Sequence, residues 1–275
     1  MAIYPLRKLA DRPNTSVASA WLENVEAQLN DSSTDRSDLC RGLLCEIIYP
    51  EYAANYETAV HDSKLPEGTR LALGALDPRN ITLEPEYYAE CDEEKFQRVK
   101  PLLWLWYSFD RTPLGGQNVD LGVKLRRMLA QKIFRKCGAN FKAFQHVEFS
   151  FGYNMEVGDD CVVHRYVLLD DRGGIVMGNR VSISDFANIY SHTHSIVDQK
   201  DVTDAITRLD DGVRITYHAT VLAGVHVAEE GMVGASAVAT KDVKPYHVNV
   251  GIPAKTVRVK PNAPFAPSVT TVKTK

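Results

Sequence analysis

The sequence predicts a mainly β protein, a parallel β-helix preceded by an α-helical N-terminal region. Three observations predict it. From Val157 onward the chain divides into sixes: VGDDCV, VHRYVL, LDDRGG, then after two residues MGNRVS, ISDFAN and IYSHTH, and after a break LDDGVR, ITYHAT, VLAGVH, VAEEGM, VGASAV and ATKDVK. The first residue of every unit is aliphatic, and the fifth is small or β-branched. The first part of the chain instead spaces its apolar residues by threes and fours, as amphipathic helices do.

A period of six fits neither the 3.6-residue helix nor a two-residue alternation of free register. It suits a prism-shaped coil with three short strands per turn. First-position side chains stack along the axis, and fifth-position residues fit near the corners. Each strand then pairs only with those one coil above and below. An ordinary β-sandwich has no reason to keep all these units in phase at both positions. The pattern leaves the handedness open.

In chain order, SVASAWLENVEAQLND, SDLCRGLLCEIIYPEYAANYETAV and EEKFQRVKPLLWLWYSFD read as helices. LGVKLRRMLAQKIFRKCG is the clearest, with Gly138 as its stop. KLPEGTR and TPLGGQN read as turns, and the aromatics of LLWLWYSF are expected in the core. Residues 1–138 form the helical region, which is expected to cap the open end of the coil. FQHVEFSFGYN alternates like a strand, so the coil is expected to begin near Phe144, inside a β-helix domain spanning 139–258. The polar stretch SIVDQKDVTDAITR interrupts the repeat and is expected to protrude as a loop just after His192-Thr193-His194. Residues 259–275 lack any repeat and read as a flexible tail.

Hydrophobic residues make up 44% and charged residues 24%, the balance of a globular protein with a sizeable core. A net charge of −3 gives no argument for nucleic acid or an anionic membrane as partner. The opening MAIYPLRKLADRPNTSV lacks the apolar core of a signal peptide, and no apolar run is long enough to span a bilayer. Five cysteines without a CxxC pair read as reduced thiols of a cytoplasmic protein.

From Gly138 to Arg258 the chain resembles the maltose and galactoside O-acetyltransferase branch of the hexapeptide-repeat acyltransferases. FSFGYNMEVGD, SHTHSI, VGASAVATKDVKP and GIPAKTVR carry the likeness. It implies a left-handed β-helix, a homotrimer with sites between subunits, and acetyl-CoA as co-substrate. It also implies a small acceptor such as a sugar, acylated on a hydroxyl or amino group. The family's base falls on His194. An imidazole, with its pKa near 6.5, accepts and returns a proton at operating pH.

The same likeness places His164, Tyr217, Ala235, Thr240, Lys241, Lys255 and Arg258 on the CoA side. Small residues there admit pantetheine, and cations suit the phosphates. Ser150 and Arg172 fall on the acceptor side, with Glu46 as a candidate for its acidic contact. The chain departs from the family at several positions. His164 stands for an asparagine, Arg172 for an aspartate, Tyr217 for a serine, Arg214 for a tryptophan and Ser195 for a proline. The CoA side is therefore better retained than the acceptor side.

Two other readings are weighed. His164, His192, His194, His218 and His226 lie on the repeat, and the same fold type hosts carbonic-anhydrase-like enzymes with zinc between subunits. Zinc demands fixed tetrahedral geometry, which the two-residue spacing of His192 and His194 suits poorly. No metal is expected, and His192 reads as a loop anchor. A β-helix serving assembly alone is the third reading. The grouping of His194, its loop, ATKDV and GIPAK argues against it.

Overall fold

A computed structural model of the chain describes residues 15–198 and 200–265. Its helices are α1 (Thr15–Asn30), α2 (Arg36–Ile48), α3 (Tyr56–His61), α4 (Glu67–Gly74), α5 (Pro85–Glu90), α6 (Glu93–Asp110), α7 (Pro113–Gly116) and α8 (Val119–Ile133). Side chains start them where the sequence offers a cap. Asp35, Asp92 and Asn118 accept backbone N–H bonds from Asp38, Lys95 and Leu121 at the starts of α2, α6 and α8. No helix among the described residues is long and apolar enough to cross a membrane.

The strands form three parallel faces. The first holds β1 (Lys136–Cys137), β4 (Met155–Val157), β7 (Ile175–Met177), β12 (Thr207–Leu209) and β15 (His226–Val227). The second holds β2 (Lys142–Ala143), β5 (Val162–Val163), β8 (Ser182–Ile183), β13 (Arg214–Ile215), β16 (Met232–Val233) and β18 (His247–Val250), edged by the antiparallel β19 (Lys255–Val259). The third holds β3 (Glu148–Phe149), β6 (Leu168–Asp170), β9 (Asn188–Tyr190), β14 (Thr220–Val221) and β17 (Val238–Ala239). A hairpin of β10 (His192–His194) and β11 (Val202–Asp204) stands outside them.

The six-residue rule becomes a stack. Ala143, Val163, Ile183, Ile215 and Val233 sit opposite one another on successive coils, all fully buried. Each such Val or Ile contributes about 1.5–3 kcal/mol relative to an exposed one. The corners require left-handed backbone, and non-glycine residues adopt it at Asn140, Asp160, Arg180 and Glu230 on one edge and at His146, Tyr166, Phe186, His218 and Ser236 on another. Side chains tie the first of these edges together. The N–H groups of Ala139, Asp159 and Asn179 donate to the side chains of Asp159, Asn179 and Asp211, one coil along each time. Gly158 sits where successive coils approach closely: a Cβ there would lie 2.7 Å from the backbone of Gly178.

Several expectations shift at the join between helices and coil. Helix α8 stops at Ile133, short of Gly138, and the coil begins at Lys136, before both Phe144 and residue 139. The first coil hides its own pattern. Phe141 occupies the place that Cys161 holds one coil later, because this coil faces the helices. Phe134 packs edge-on against Phe141 and Phe149 at 5.6 and 5.2 Å, and Trp106 against Phe149 at 5.3 Å. The turn-like KLPEGTR and TPLGGQN contain the start of α4 and all of α7. At the other end, the boundary at residue 258 falls inside β19. Lys260 pairs with Glu230 at 2.9 Å and Ala263 is buried, so 259–265 continue along the last coil. Residues 266–275 of the expected tail lie outside the described residues.

Helices and coil are stapled by a buried ion pair. Arg126 of α8 is 1% exposed, and its Nε donates to Asp110 of α6 at 2.7 Å. Its other nitrogens donate to the carbonyls of Gly115 and Ala143, the latter in β2. The second oxygen of Asp110 accepts the His146 N–H from the first coil at 2.7 Å.

Candidate functional site

The expected protruding loop is a hairpin, and it leaves the coil at the corner between the third and first faces. Its pairs are His192 with Asp204, Thr193 with Thr203 and His194 with Val202. The exit is tight: a Cβ on Gly173 would lie 2.3 Å from the Ser191 carbonyl oxygen. Ser191 is fully buried, and its hydroxyl donates to the Asp170 carbonyl at 2.6 Å. The root of the hairpin is therefore fixed, which holds the two histidines in place.

Around them lies a dense polar cluster. Asp170, on β6, accepts from Ser150 at 2.6 Å with one carboxylate oxygen and meets His192 Nδ1 with the other. Arg172, 9% exposed, bonds Asp170 through Nε at 3.3 Å, Glu90 at 3.3 Å, Glu86, and His192 Nε2. Its guanidinium lies 5.1 Å from the Tyr87 ring centre. A guanidinium only donates, so His192 Nε2 is the accepting nitrogen and Nδ1 carries the proton given to Asp170. Both ring nitrogens of His192 are thus engaged. His194 is half-buried, its Nε2 lies 3.4 Å from Glu86, and its ring stands perpendicular to that of His192 at 5.2 Å. The Arg172 hydrogen bond holds the Glu86 carboxyl below the usual range, so Glu86 is a carboxylate beside the imidazole.

The structure therefore joins His194, Arg172 and Ser150 of the expected set. It adds Glu86, Tyr87 and Glu90 from α5, and Asp170 from the coil. Sequence reasoning missed α5 because its residues lie more than eighty positions from Arg172. A faint signal was present: Glu86 and Glu90 are four apart, which puts both carboxylates on one face of a helix. Glu46 is elsewhere, lining a cavity with Trp21, Ile47 and Leu114. Glu86, His192 and His194 offer three ligand atoms within 4.8 Å of one another. Arg172 already donates to two of these groups, so a metal ion there would face a fixed positive charge.

Three of the expected CoA-side residues lie on a different edge of the prism from His194 within one chain. His164, Tyr217 and Ala235 follow β5, β13 and β16, which stacks them on the corner between the second and third faces. His164 stacks on Phe144 at 5.0 Å, and burial pushes its imidazole below the ordinary value. Tyr217 is exposed beside a column of rings, His146, Tyr166, Phe186 and His218, spaced 4.8–5.0 Å. Thr240 and Lys241 follow β17 on the corner from which the hairpin leaves, and Lys255 and Arg258 are exposed on β19. His226 is separate, paired with Asp210 at 2.7 Å.

Asp171, beside the cluster, is fully buried and accepts N–H bonds from Phe151 and Asn154 at 2.8 and 3.1 Å. Burial pushes its carboxyl up to about 6 despite these bonds. A raised folded-state value means the folded chain binds this proton more tightly. That contribution to stability is full below about 4 and is lost as pH rises through about 6. The stability difference between the wild type and Asp171→Asn, from urea unfolding, is expected to shift against the wild type as pH rises from 4 to 7. A flat difference would show that Asp171 titrates as it does in the unfolded chain.

No family model matches the chain. Among sequence relatives, the galactoside O-acetyltransferase of Escherichia coli is 24% identical over 140 residues, 50% of this chain and 69% of that protein. A putative acetyltransferase of Schizosaccharomyces pombe is 31% identical over 115 residues, 40% of this chain and 55% of that protein. Among solved structures, a maltose O-acetyltransferase from Clostridium difficile superposes with a TM-score of 0.53 at 22% identity, over 61% of this chain and 87% of that one. A galactoside acetyltransferase in complex with coenzyme A gives 0.52 at 21%, over 66% and 92%. In sequence the chain is similar to O-acetyltransferases, and its fold is that of hexapeptide-repeat acetyltransferases.

Proposed function

We propose that the protein transfers an acyl group, acetyl in the first instance, from CoA to a hydroxyl or amino group of a small acceptor such as a sugar, with His194 as general base. The observation that carries this reading is the placement of His194 on a rigidly rooted hairpin beside an ionised carboxylate, Glu86. His194 takes the acceptor's proton as its oxygen or nitrogen attacks the thioester carbonyl. The tetrahedral intermediate then expels the CoA sulfur, and the proton passes to it. Glu86 stabilises the transient imidazolium as a carboxylate partner does in a catalytic triad. Arg172 and Ser150 serve the acceptor side. His164, Tyr217, Ala235, Thr240, Lys241, Lys255 and Arg258 serve CoA.

This reading needs a neighbouring subunit, because His194 and the His164–Tyr217–Ala235 corner occupy different edges of one prism. A homotrimer brings the hairpin of one chain to that corner of the next, a heterologous contact that closes by rotation. Exposed apolar groups support it on both sides. Ile196 and Val197, at the hairpin tip, are 103% and 91% exposed, and Tyr166, Phe186 and Tyr217 are exposed on the corner. The similarity to a galactoside O-acetyltransferase and the coenzyme A complex of a fold neighbour support the co-substrate.

The test is release of free thiol from acetyl-CoA with a panel of sugars, amino sugars and other hydroxylated or aminated compounds. Release that depends on one class of acceptor is expected. No release with any of them, together with about one zinc per subunit in the purified protein, would favour the carbonic-anhydrase-like reading instead.

A further inference from the structure

A cavity of about 310 Å³ lies between α6 and the third face of the coil, under α5 and separate from the hairpin. Ile81, Leu83, Phe96, Leu103 and Leu168 give it apolar walls. One stripe of α6 and its C-terminal cap crosses it: Lys100, Trp104, Tyr107 and, at the cap, Arg111 recur at four, three and four residues and so share a face. The Tyr107 hydroxyl is committed elsewhere, accepting from the Phe149 N–H at 3.0 Å and lying 3.1 Å from the Phe149 carbonyl. That leaves its ring as lining. The Trp104 indole N–H is buried without an acceptor, a state that costs roughly 1–3 kcal/mol.

The charges in this lining are unbalanced. Arg41, Arg79, Arg126 and Arg172 of the same chain each pair with a carboxylate. Lys100 and Arg111 make no ion pair among the described residues, and Glu148 is the single acid of the lining. A mostly apolar, concave site with a few polar groups is the ordinary form of a small-molecule pocket, at the lower end of the usual size range.

We propose that this cavity is a second small-molecule site, taking a compact aromatic carboxylate whose ring lies among the apolar walls and whose anion meets Lys100 or Arg111. Its wall is shared with the polar cluster. Tyr87 and Ser150 line the cavity, while Tyr87 also carries Arg172 and Ser150 donates to Asp170. Occupation is therefore expected to order α5, which also supplies Glu86.

Calorimetric titration of the whole protein with naphthalene-2-carboxylate tests the proposal, with naphthalene-2-methanol as the uncharged control. One carboxylate per chain is expected to bind, at least tenfold tighter than the alcohol. Lys100→Gln with Arg111→Gln is expected to weaken it about tenfold. Ile81→Trp, filling the cavity from its half-exposed edge, is expected to abolish binding. Backbone hydrogen exchange across residues 85–90 is expected to slow in the complex. The proposal is overturned by absent binding, by equal binding of alcohol and carboxylate, or by binding that the charge variants leave unchanged. The two charge changes lie at half-buried and exposed positions, so they remain decisive should Ile81→Trp fail to fold. None of these readouts involves acyl transfer, so they stand or fall apart from the assignment of His194.

Discussion

Replacing His194 by alanine is expected to lower the rate of acceptor-dependent thiol release by about 10²–10⁴-fold, the usual contribution of a positioned general base. The side chain is half-buried on a hairpin outside the three faces, so the coil does not need it, and melting temperature and oligomer size are expected to hold. The loss is expected in kcat, since the imidazole acts on the proton in flight and contributes little to holding either substrate. Glu86→Gln keeps the shape of its side chain but removes the charge facing His194 Nε2 at 3.4 Å. Its effect on the rate should be smaller than that of His194→Ala, since the base itself remains in place. A variant without His194 that retains full activity would end the base assignment, whatever the fold.

The largest stability effect is expected at Arg126. Exchange for methionine leaves Asp110 buried at 3% exposure, still holding the His146 N–H but without its counter-ion. Breaking one half of such a pair costs about 3–5 kcal/mol. The Gly115 and Ala143 carbonyls lose a donor as well, which places Arg126→Met at the upper end of that range. Pairing the change with Asp110→Leu is expected to recover part of the loss, because no lone buried charge then remains. The two variants coupled by this much in a double-mutant cycle would show that the staple acts as a unit. Additive effects would show that each residue serves only its own neighbours.

The contrast between what was legible and what was not runs along the chain. Where the coil packs only against itself, from Val157 to Val243, each residue's environment repeats every six positions. The apolar stack and the corner residues can then be read directly. The hairpin was visible as a break, and its histidines by their place at that break. In the first coil the same geometry exists, but Phe141 and Phe149 answer to Phe134 and Trp106 on the helices, and the period disappears. The end of α8 was misjudged for the same reason: Phe134 leaves the helix to fill that contact, four residues before the glycine.

By itself the sequence determined the β-helix, its phase, the helical cap and the histidine at the edge of the insertion. These rest on interactions between near neighbours or between units one coil apart, and such interactions leave a periodic trace. Only the tertiary structure decided that α5 lies against the hairpin, that Glu86 faces His194, and that Glu86 and Glu90 reach Arg172. Those contacts join segments more than eighty residues apart through single side chains. Coulombic pairing at such a distance in sequence carries no period, so nothing short of the folded chain reveals it.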